Sequence, residues 1–150
     1  MAAAVCDLDD LDSAPPGHLE IYRRQVTQFL AGSSLLWFTR YFFRVREGIE
    51  FRVNWHHRQI VDALERVHRG EITNIVINIP PGSSKTEIAV INFMAWSIAQ
   101  NPRCRFLHLS YADTLVEENS SKCKALIESE EFQELWPHET AKDSKAKKRW

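Results

Sequence analysis

The chain has 150 residues and a formal net charge of −1, and 44% of its residues are hydrophobic while 26% are charged. These values are ordinary for a soluble globular protein with a core, so composition alone selects no class of function. Cys6, Cys104 and Cys123 are odd in number and widely spaced, which indicates neither a disulfide framework nor a zinc site and fits a reducing cytosol.

The two ends of the chain carry opposite charges. Residues 1–17 are predicted to be a loose acidic leader that ends in Pro15-Pro16-Gly17, and it lacks the apolar segment of a secretory signal. Residues 138–150 are predicted to be a basic, flexible tail. Such a tail can neutralise phosphates, although a solvated, frayed terminus is the commoner explanation of a run of lysines.

Residues 18–53 are predicted to be a helical N-terminal segment. Apolar residues recur at helical spacing from Ile21 to Leu30, and a second helix is predicted over about 34–47. The aromatic stretch of that helix contains Arg40 and falls well short of the roughly 20 apolar residues that cross a membrane. We therefore expect a buried helix and no membrane partner.

A third helix is predicted over 55–69, with Asn54 as its N-cap and Gly70 just beyond its end. An alternating pattern follows: a strand at 74–79, a loop at 80–85, a helix at 86–100, a strand at 105–110 and a helix at 113–128. Alternation of this kind predicts an α/β fold with parallel strands and crossover helices. Ser110 and Asp113 resemble a capping box at the start of the last helix.

The loop at 80–85 has the composition of a phosphate-binding loop. Small residues let backbone N–H groups crowd around an anion, and the N-terminus of the next helix adds a positive dipole. In this interpretation Gly82, Ser83 and Ser84 supply N–H groups, Lys85 holds the β- and γ-phosphates, and Thr86 contacts Mg²⁺ through its hydroxyl. The match to the usual motif is degenerate, since Ile79 and Ser84 stand where its two glycines belong.

Three ordered blocks carry a resemblance to a known family. They are Trp55-His56-His57-Arg58-Gln59, Ile79-Pro80-Pro81-Gly82-Ser83-Ser84-Lys85-Thr86-Glu87 and Phe106-Leu107-His108-Leu109-Ser110-Tyr111-Ala112-Asp113. Together they resemble the ATPase half of the tailed-bacteriophage terminase large subunit, over roughly residues 50–137. In that family the large subunit is the motor that pumps viral DNA into a capsid, and a separate RNase H-like nuclease domain cuts the DNA.

The resemblance implies a P-loop NTPase fragment of the RecA-like, additional-strand type over 54–137, with ATP and Mg²⁺ as cofactors. It makes Gln59 the adenine contact, because a side-chain amide donates and accepts hydrogen bonds at once. The implied partners are double-stranded DNA, a small terminase subunit, a portal protein and sister subunits of a homo-oligomeric ring. The implied location is the cytoplasm of a bacterial host.

Two departures from the family pattern bear on catalysis. Gly82 stands at the position of a common arginine, and Ser84 stands at the position of a glycine, where a positive φ costs a side chain about 1–3 kcal/mol. Hydrolysis also needs an acidic residue at the end of a second core strand, and no strand is predicted after residue 110. We therefore expect a chain that ends before the second acidic motif and the nuclease domain, and we leave its enzymatic activity open.

Two other functions remain open at this stage. The chain could be a non-catalytic interaction module whose aromatic helices dock onto a portal or another terminase subunit, although the same residues suit a plain core. These residues are Tyr22, Phe29, Trp37, Phe38, Phe42 and Phe43. A P-loop helicase or kinase fragment would keep Lys85 and Thr86 but needs neither the Pro-Pro pair nor the Ser-Tyr-Ala-Asp segment.

Overall fold

A computed structural model describes residues 17–138 of the chain, and helices dominate this part. Five helices and two shorter helical pieces follow one another without an intervening strand in the described residues. They are α1 (His18–Ser33), α2 (Leu35–Glu47), α3 (Trp55–His68), a π-helical turn π1 (Glu87–Asn92) that continues into α4 (Phe93–Gln100), α5 (Asp113–Glu128) and α6 (Glu130–Leu135).

The predicted α/β fold class is wrong for the described residues. The segments predicted as strands, 74–79 and 105–110, carry no strand assignment, so there is no sheet and no crossover geometry. The architecture is all-helical. The P-loop NTPase fold that the resemblance implied is therefore not what residues 54–137 form, whereas the predicted helical N-terminal segment is present.

The physical reason for this error is that a strand exists only as part of a ladder. Residues 74–79 and 105–110 have the apolar, β-branched composition of strands, but they form no backbone hydrogen bonds with each other in the described part of the chain. Several of their apolar side chains lie in solvent, with Val76 93% exposed and Leu107 84% exposed, whereas Ile77 and Ile79 are partly buried against the core. Local propensity was present, and the neighbouring strand that would turn it into a sheet was not.

The core is built around the aromatic stripe of α2. Leu35, Phe38 and Phe42 recur on one face of this helix and are fully buried. The Phe38 and Phe42 ring centroids lie 4.4 Å apart, and both rings pack against Phe132 of α6, at 6.4 and 5.8 Å. The predicted burial of this helix is confirmed, and its aromatic residues account for much of the packing in the described structure.

The helix after the loop is the second wall of the core. Ile88 and Ala95 are fully buried on it, and Trp96 donates a hydrogen bond from Nε1 to the carbonyl of Ala31 at 3.0 Å. Asn92 is also fully buried and donates from Nδ2 to the Glu87 carbonyl at 2.7 Å, within the π-helical turn. The loop therefore leads directly into an element that is anchored on α1 and α2.

Helix ends follow partly from the sequence. Ser34 caps α2 by accepting a hydrogen bond from the Trp37 N–H, and Gly48 ends that helix with a φ of 69°. Asn54 is the N-cap of α3, as predicted. The predicted capping box at Ser110 is wrong, because α5 begins after Ala112 and no side chain caps it.

No helix within residues 17–138 is long and apolar enough to cross a membrane. The acidic leader and nearly all of the basic tail lie outside the described residues.

The buried thiol of Cys123 gives a pH-dependent prediction. Burial raises its pKa to about 12, although the charge of Arg46 acts in the opposite direction. The folded chain thus binds more protons than the unfolded chain between about pH 9 and pH 12, so this thiol stabilises the fold below that window and less within it. We expect urea midpoints of the wild type to fall more steeply over this pH range than those of Cys123→Ala. Equal slopes would contradict a buried, protonated thiol.

Candidate functional site

The backbone of the loop before π1 alternates in handedness. Gly82 has a φ of 77° and Ser84 a φ of 54°, while Ser83 between them is not in the positive region. Ser84 is the one non-glycine residue with a positive φ in the described part of the chain. Alternation of this kind turns successive N–H groups toward one side and forms an anion-binding concavity. The condition attached to Ser84 in the sequence analysis, a positive φ, is met.

The N–H groups of this concavity are free to bind. Residues 82–86 donate no backbone–backbone hydrogen bond to any described residue, and the first helical bond of the next element runs from the Ile88 N–H to the Ser84 carbonyl at 3.0 Å. Such unpaired N–H groups carry the positive end of the helix dipole. The loop residues are exposed or half-buried, so an anion in solution can reach them.

Lys85 lies at the start of the helix and folds back over the loop. Its Nζ donates to the carbonyl of Ile79 at 3.2 Å, and no ion pair is formed with it in the described structure. The ammonium group is therefore held near the entrance of the loop by a single neutral partner. A phosphate could replace or share that partner at little cost, because charge-assisted hydrogen bonds are the stronger ones.

Thr86 is exposed, and the residue after it anchors the helix start. Glu87 forms an ion pair with Arg46 of α2, and Asn92 Nδ2 donates to the Glu87 carboxylate at 2.6 Å. Both members of the ion pair are largely shielded from solvent, at 16% and 17% side-chain exposure. The pair ties the start of the helix to α2, and Thr86 itself is open to solvent.

The start of α3 packs beside the loop through His57. This buried ring accepts a hydrogen bond at Nδ1 from the Asn54 N–H at 3.1 Å. Burial lowers the pKa of His57 and the charge of His56 lowers it further, whereas the backbone of Ser83 and of Arg52 raises it. A neutral ring is the form that can accept the Asn54 bond. This bond ties His57 to the N-cap residue of α3.

Gln59 lies two residues further along α3 and is exposed. The N-terminal end of α3, which includes His57, contacts the loop, so Gln59 lies on the same end of the helix as the loop contact. Its amide has no hydrogen-bond partner among the described residues. Gln59 is two positions from His57, a spacing that places the two side chains on different faces of α3, and the contact with the loop is made by His57.

Carboxylates suited to hydrolysis are not gathered at this loop. Within residues 17–138 no group of three or more His, Cys, Asp or Glu side chains could hold a metal ion. The acidic stretch that includes Glu128 and Glu130 lies where α5 ends and α6 begins. No such group therefore lies beside the predicted phosphate-binding residues in the described part of the chain.

Two features of the site were missed from the sequence. The ion pair of Arg46 with Glu87 joins residues 41 positions apart, and local patterns carry no signal for such a contact. The π-helical turn after Thr86 was predicted as ordinary helix. The available signal was Asn92, a polar residue in an otherwise apolar run. π-helical turns occur frequently at functional sites.

The strain at Ser84 gives a second prediction. Replacing Ser84 with glycine removes the unfavourable left-handed side chain, and we expect the free energy of unfolding to rise by about 1 kcal/mol. Ser83→Gly is the matched control, because Ser83 lacks a positive φ and the substitution only adds freedom to the unfolded chain. Urea denaturation of both variants tests this. A Ser84→Gly variant no more stable than Ser83→Gly would contradict the strain.

Comparison with known proteins adds nothing to this geometry, because no family model, no curated protein and no solved structure matches the chain.

Proposed function

We propose that this chain is the ATP-binding part of a viral DNA-packaging terminase large subunit, and that residues 82–86 bind the triphosphate together with Mg²⁺. The observation that carries the proposal is the left-handed backbone of Ser84. Ser84 follows left-handed Gly82 by two residues and directly precedes Lys85. A strained serine at a helix N-terminus has no role in the packing of the core. Strain of this kind persists where function requires it.

The residues at the loop fit the parts of a nucleotide. The free N–H groups of Gly82, Ser83 and Ser84 surround phosphate oxygens, and the ammonium group of Lys85 leaves the Ile79 carbonyl to contact the β- and γ-phosphates. Thr86 offers its hydroxyl to Mg²⁺, which neutralises phosphate charge when bound. Gln59 offers a donor and an acceptor to the edge of adenine. The proposal depends on this loop and does not require a sheet.

The wider activity follows from the resemblance. We assign to the complete motor the ATP-driven movement of double-stranded DNA into a capsid. Its partners would be a portal protein, a small terminase subunit and sister motor subunits in a ring, and its location would be the host cytoplasm. The described residues support the binding step. Turnover requires a carboxylate near the γ-phosphate, and the carboxylate nearest to the loop in the sequence, that of Glu87, is held in an ion pair with Arg46.

Calorimetric titration of the full chain tests the binding step. With Mg²⁺ present, we expect ATP to bind and adenosine to bind far more weakly, because the phosphates carry most of the contacts. AMP should lie between the two. Equal affinity for ATP and adenosine would contradict a triphosphate site at residues 82–86. Stimulation of any ATPase activity by DNA, with a steep salt dependence, would distinguish a DNA motor from a kinase.

A second candidate function, a non-catalytic interaction module, is favoured by one observation on α1. All residues from 17 to 26 are exposed, so the first half of this helix projects from the core. Tyr22 and Phe29 are 49% and 72% exposed, whereas Phe38 and Phe42 are buried and serve the core. Short helices without tertiary contacts are marginal in water, so a partner that covers α1 would stabilise it. Retention of a terminase partner by the wild type and its loss in a Tyr22→Ser, Phe29→Ser variant would support this function.

A further inference from the structure

The outward face of α2 carries alternating aromatic and cationic side chains. Trp37, Arg40, Tyr41 and Arg44 follow one another at spacings that place them on one side of the helix. The Trp37 and Tyr41 rings are stacked, with centroids 5.5 Å apart and planes inclined by 13°. Neither ring is fully buried, and both arginines are exposed. The fully buried stripe of α2 lies on the other side of the helix, while Trp37 and Tyr41 are partly buried at the edge of the core.

The two arginines have no carboxylate partner. Arg40 and Arg44 form no ion pair with any described residue, although they are four positions apart and repel one another along the helix. Some exposed arginines within residues 17–138 are paired, as Arg66 and Arg69 are with Glu71, and others are not. An anion that bridges Arg40 and Arg44 would remove the repulsion.

A cavity at this face matches a planar, anionic unit. Its volume is 180 Å³, and it is lined by the four α2 side chains together with Glu50 and the buried ring of Phe51. The carboxylate of Glu50 excludes a second acidic group beside it, but it can accept hydrogen bonds from an exocyclic amino group of a base. The lining therefore combines stacking surface, phosphate-binding charge and one acceptor.

The charge continues beyond this cavity. A neighbouring groove of 610 Å³ shares Tyr41 and is lined by Arg23 and Arg24, which also form no ion pair with a described residue. Glu20 and Glu134 lie in the same groove. Arg40 and Arg44 line the cavity, Arg23 and Arg24 line the groove, and Tyr41 belongs to both. Four arginines without an ion pair along this surface suit a polymer with repeated negative charges better than a single small anion.

We propose that this face of α2 binds single-stranded nucleic acid. A base stacks on the Trp37 and Tyr41 pair, and the flanking phosphates contact the guanidinium groups of Arg40 and Arg44. Burial raises the pKa of Tyr41, and the carboxylates of Glu131 and Glu134 raise it further, so the hydroxyl remains protonated. The inference is independent of the triphosphate loop, which involves none of these residues.

Fluorescence anisotropy of the full chain with a labelled oligodeoxycytidylate of about ten nucleotides, a length within the usual site size, tests the proposal. We expect the double variant with Arg40→Gln and Arg44→Gln to bind roughly tenfold more weakly than the wild type. The single variant Trp37→Leu should lose a similar factor. Trp37→Phe keeps an aromatic ring and should retain most of the affinity. The control for the arginine variant is the double variant with Arg66→Gln and Arg69→Gln, which removes two exposed arginines elsewhere. The control for Trp37→Leu is Trp55→Leu, which removes an exposed tryptophan elsewhere. Both controls should bind as the wild type does.

Salt dependence separates this site from the basic tail, which is present in every variant. The double variant with Arg40→Gln and Arg44→Gln loses two phosphate contacts to a single strand. The slope of log affinity against log salt concentration should therefore be shallower by about 1.4 in this variant than in the wild type. Circular dichroism checks that each variant is folded, and titration with Mg²⁺ and ATP should be unchanged. Unchanged oligonucleotide affinity in the arginine variant would overturn the proposal. So would a Trp37→Leu variant that binds normally while poly-glutamate competes as well as the oligonucleotide does.

Discussion

Phe42→Ala is expected to lower the free energy of unfolding by about 3–5 kcal/mol, the usual cost of removing a buried aromatic ring. Phe42 is fully buried, and its ring lies within 6.4 Å, between centroids, of Phe38, Phe132 and Trp136. Removing it leaves a cavity where α2 meets α6. A loss of this size is a large fraction of the 5–15 kcal/mol that stabilises an ordinary domain, so the variant should be largely unfolded at moderate urea concentrations.

The control for this variant is Phe29→Ala. Phe29 has the same side chain, but it is 72% exposed on α1, and its removal should change the stability by no more than about 0.5 kcal/mol. Urea denaturation followed by circular dichroism measures both. If the two substitutions cost the same, the packing of α2 against α6 described above is wrong.

Lys85→Ala is expected to weaken ATP binding about 10- to 100-fold, because a hydrogen bond to a charged group contributes about 1.5–3 kcal/mol. The ammonium group has one neutral partner in the folded chain, the Ile79 carbonyl, so its removal leaves no buried charge without a partner. The stability of the fold should therefore change little. A large loss of affinity without a loss of stability is the signature of a ligand-binding lysine.

Lys122→Ala provides the matched control. This exposed lysine lies on α5, outside residues 82–86, and forms a hydrogen-bonded ion pair with Glu118. It should bind ATP as the wild type does. Equilibrium titrations of both variants under the same conditions give the comparison. Equal affinities for Lys85→Ala and Lys122→Ala would remove Lys85 from the phosphate site.

Helices were predictable from the sequence because their signals are local. The spacing of apolar residues, together with Asn54 and Gly70, placed α2 and α3 to within a residue or two, and α5 begins and ends as predicted. The strands were mispredicted because strand propensity is also local, whereas the ladder that makes a strand is not. Residues 74–79 satisfied the first condition and lacked the second.

The candidate site shows the same division. The loop from Gly82 to Thr86 was found from its composition, and the positive φ of Ser84 followed from its position in the motif. Burial could not be derived in the same way, since the aromatic residues of α1 and α2 look alike in sequence. Phe29 is exposed and Phe38 is buried, because only α2 lies between α1, α3 and the helix after the loop. The Arg46 contact also depends on this packing.

The central claim, that residues 82–86 hold a triphosphate, is tested most directly by the backbone amide resonances of those residues. We expect the ¹⁵N–¹H signals of Gly82 to Thr86 to shift when ATP and Mg²⁺ are added, and to remain in place when adenosine is added at the same concentration. The signals of Arg66 and Arg69 on the far end of α3 should not move in either case. Loop amides that keep their positions at saturating ATP would contradict the account.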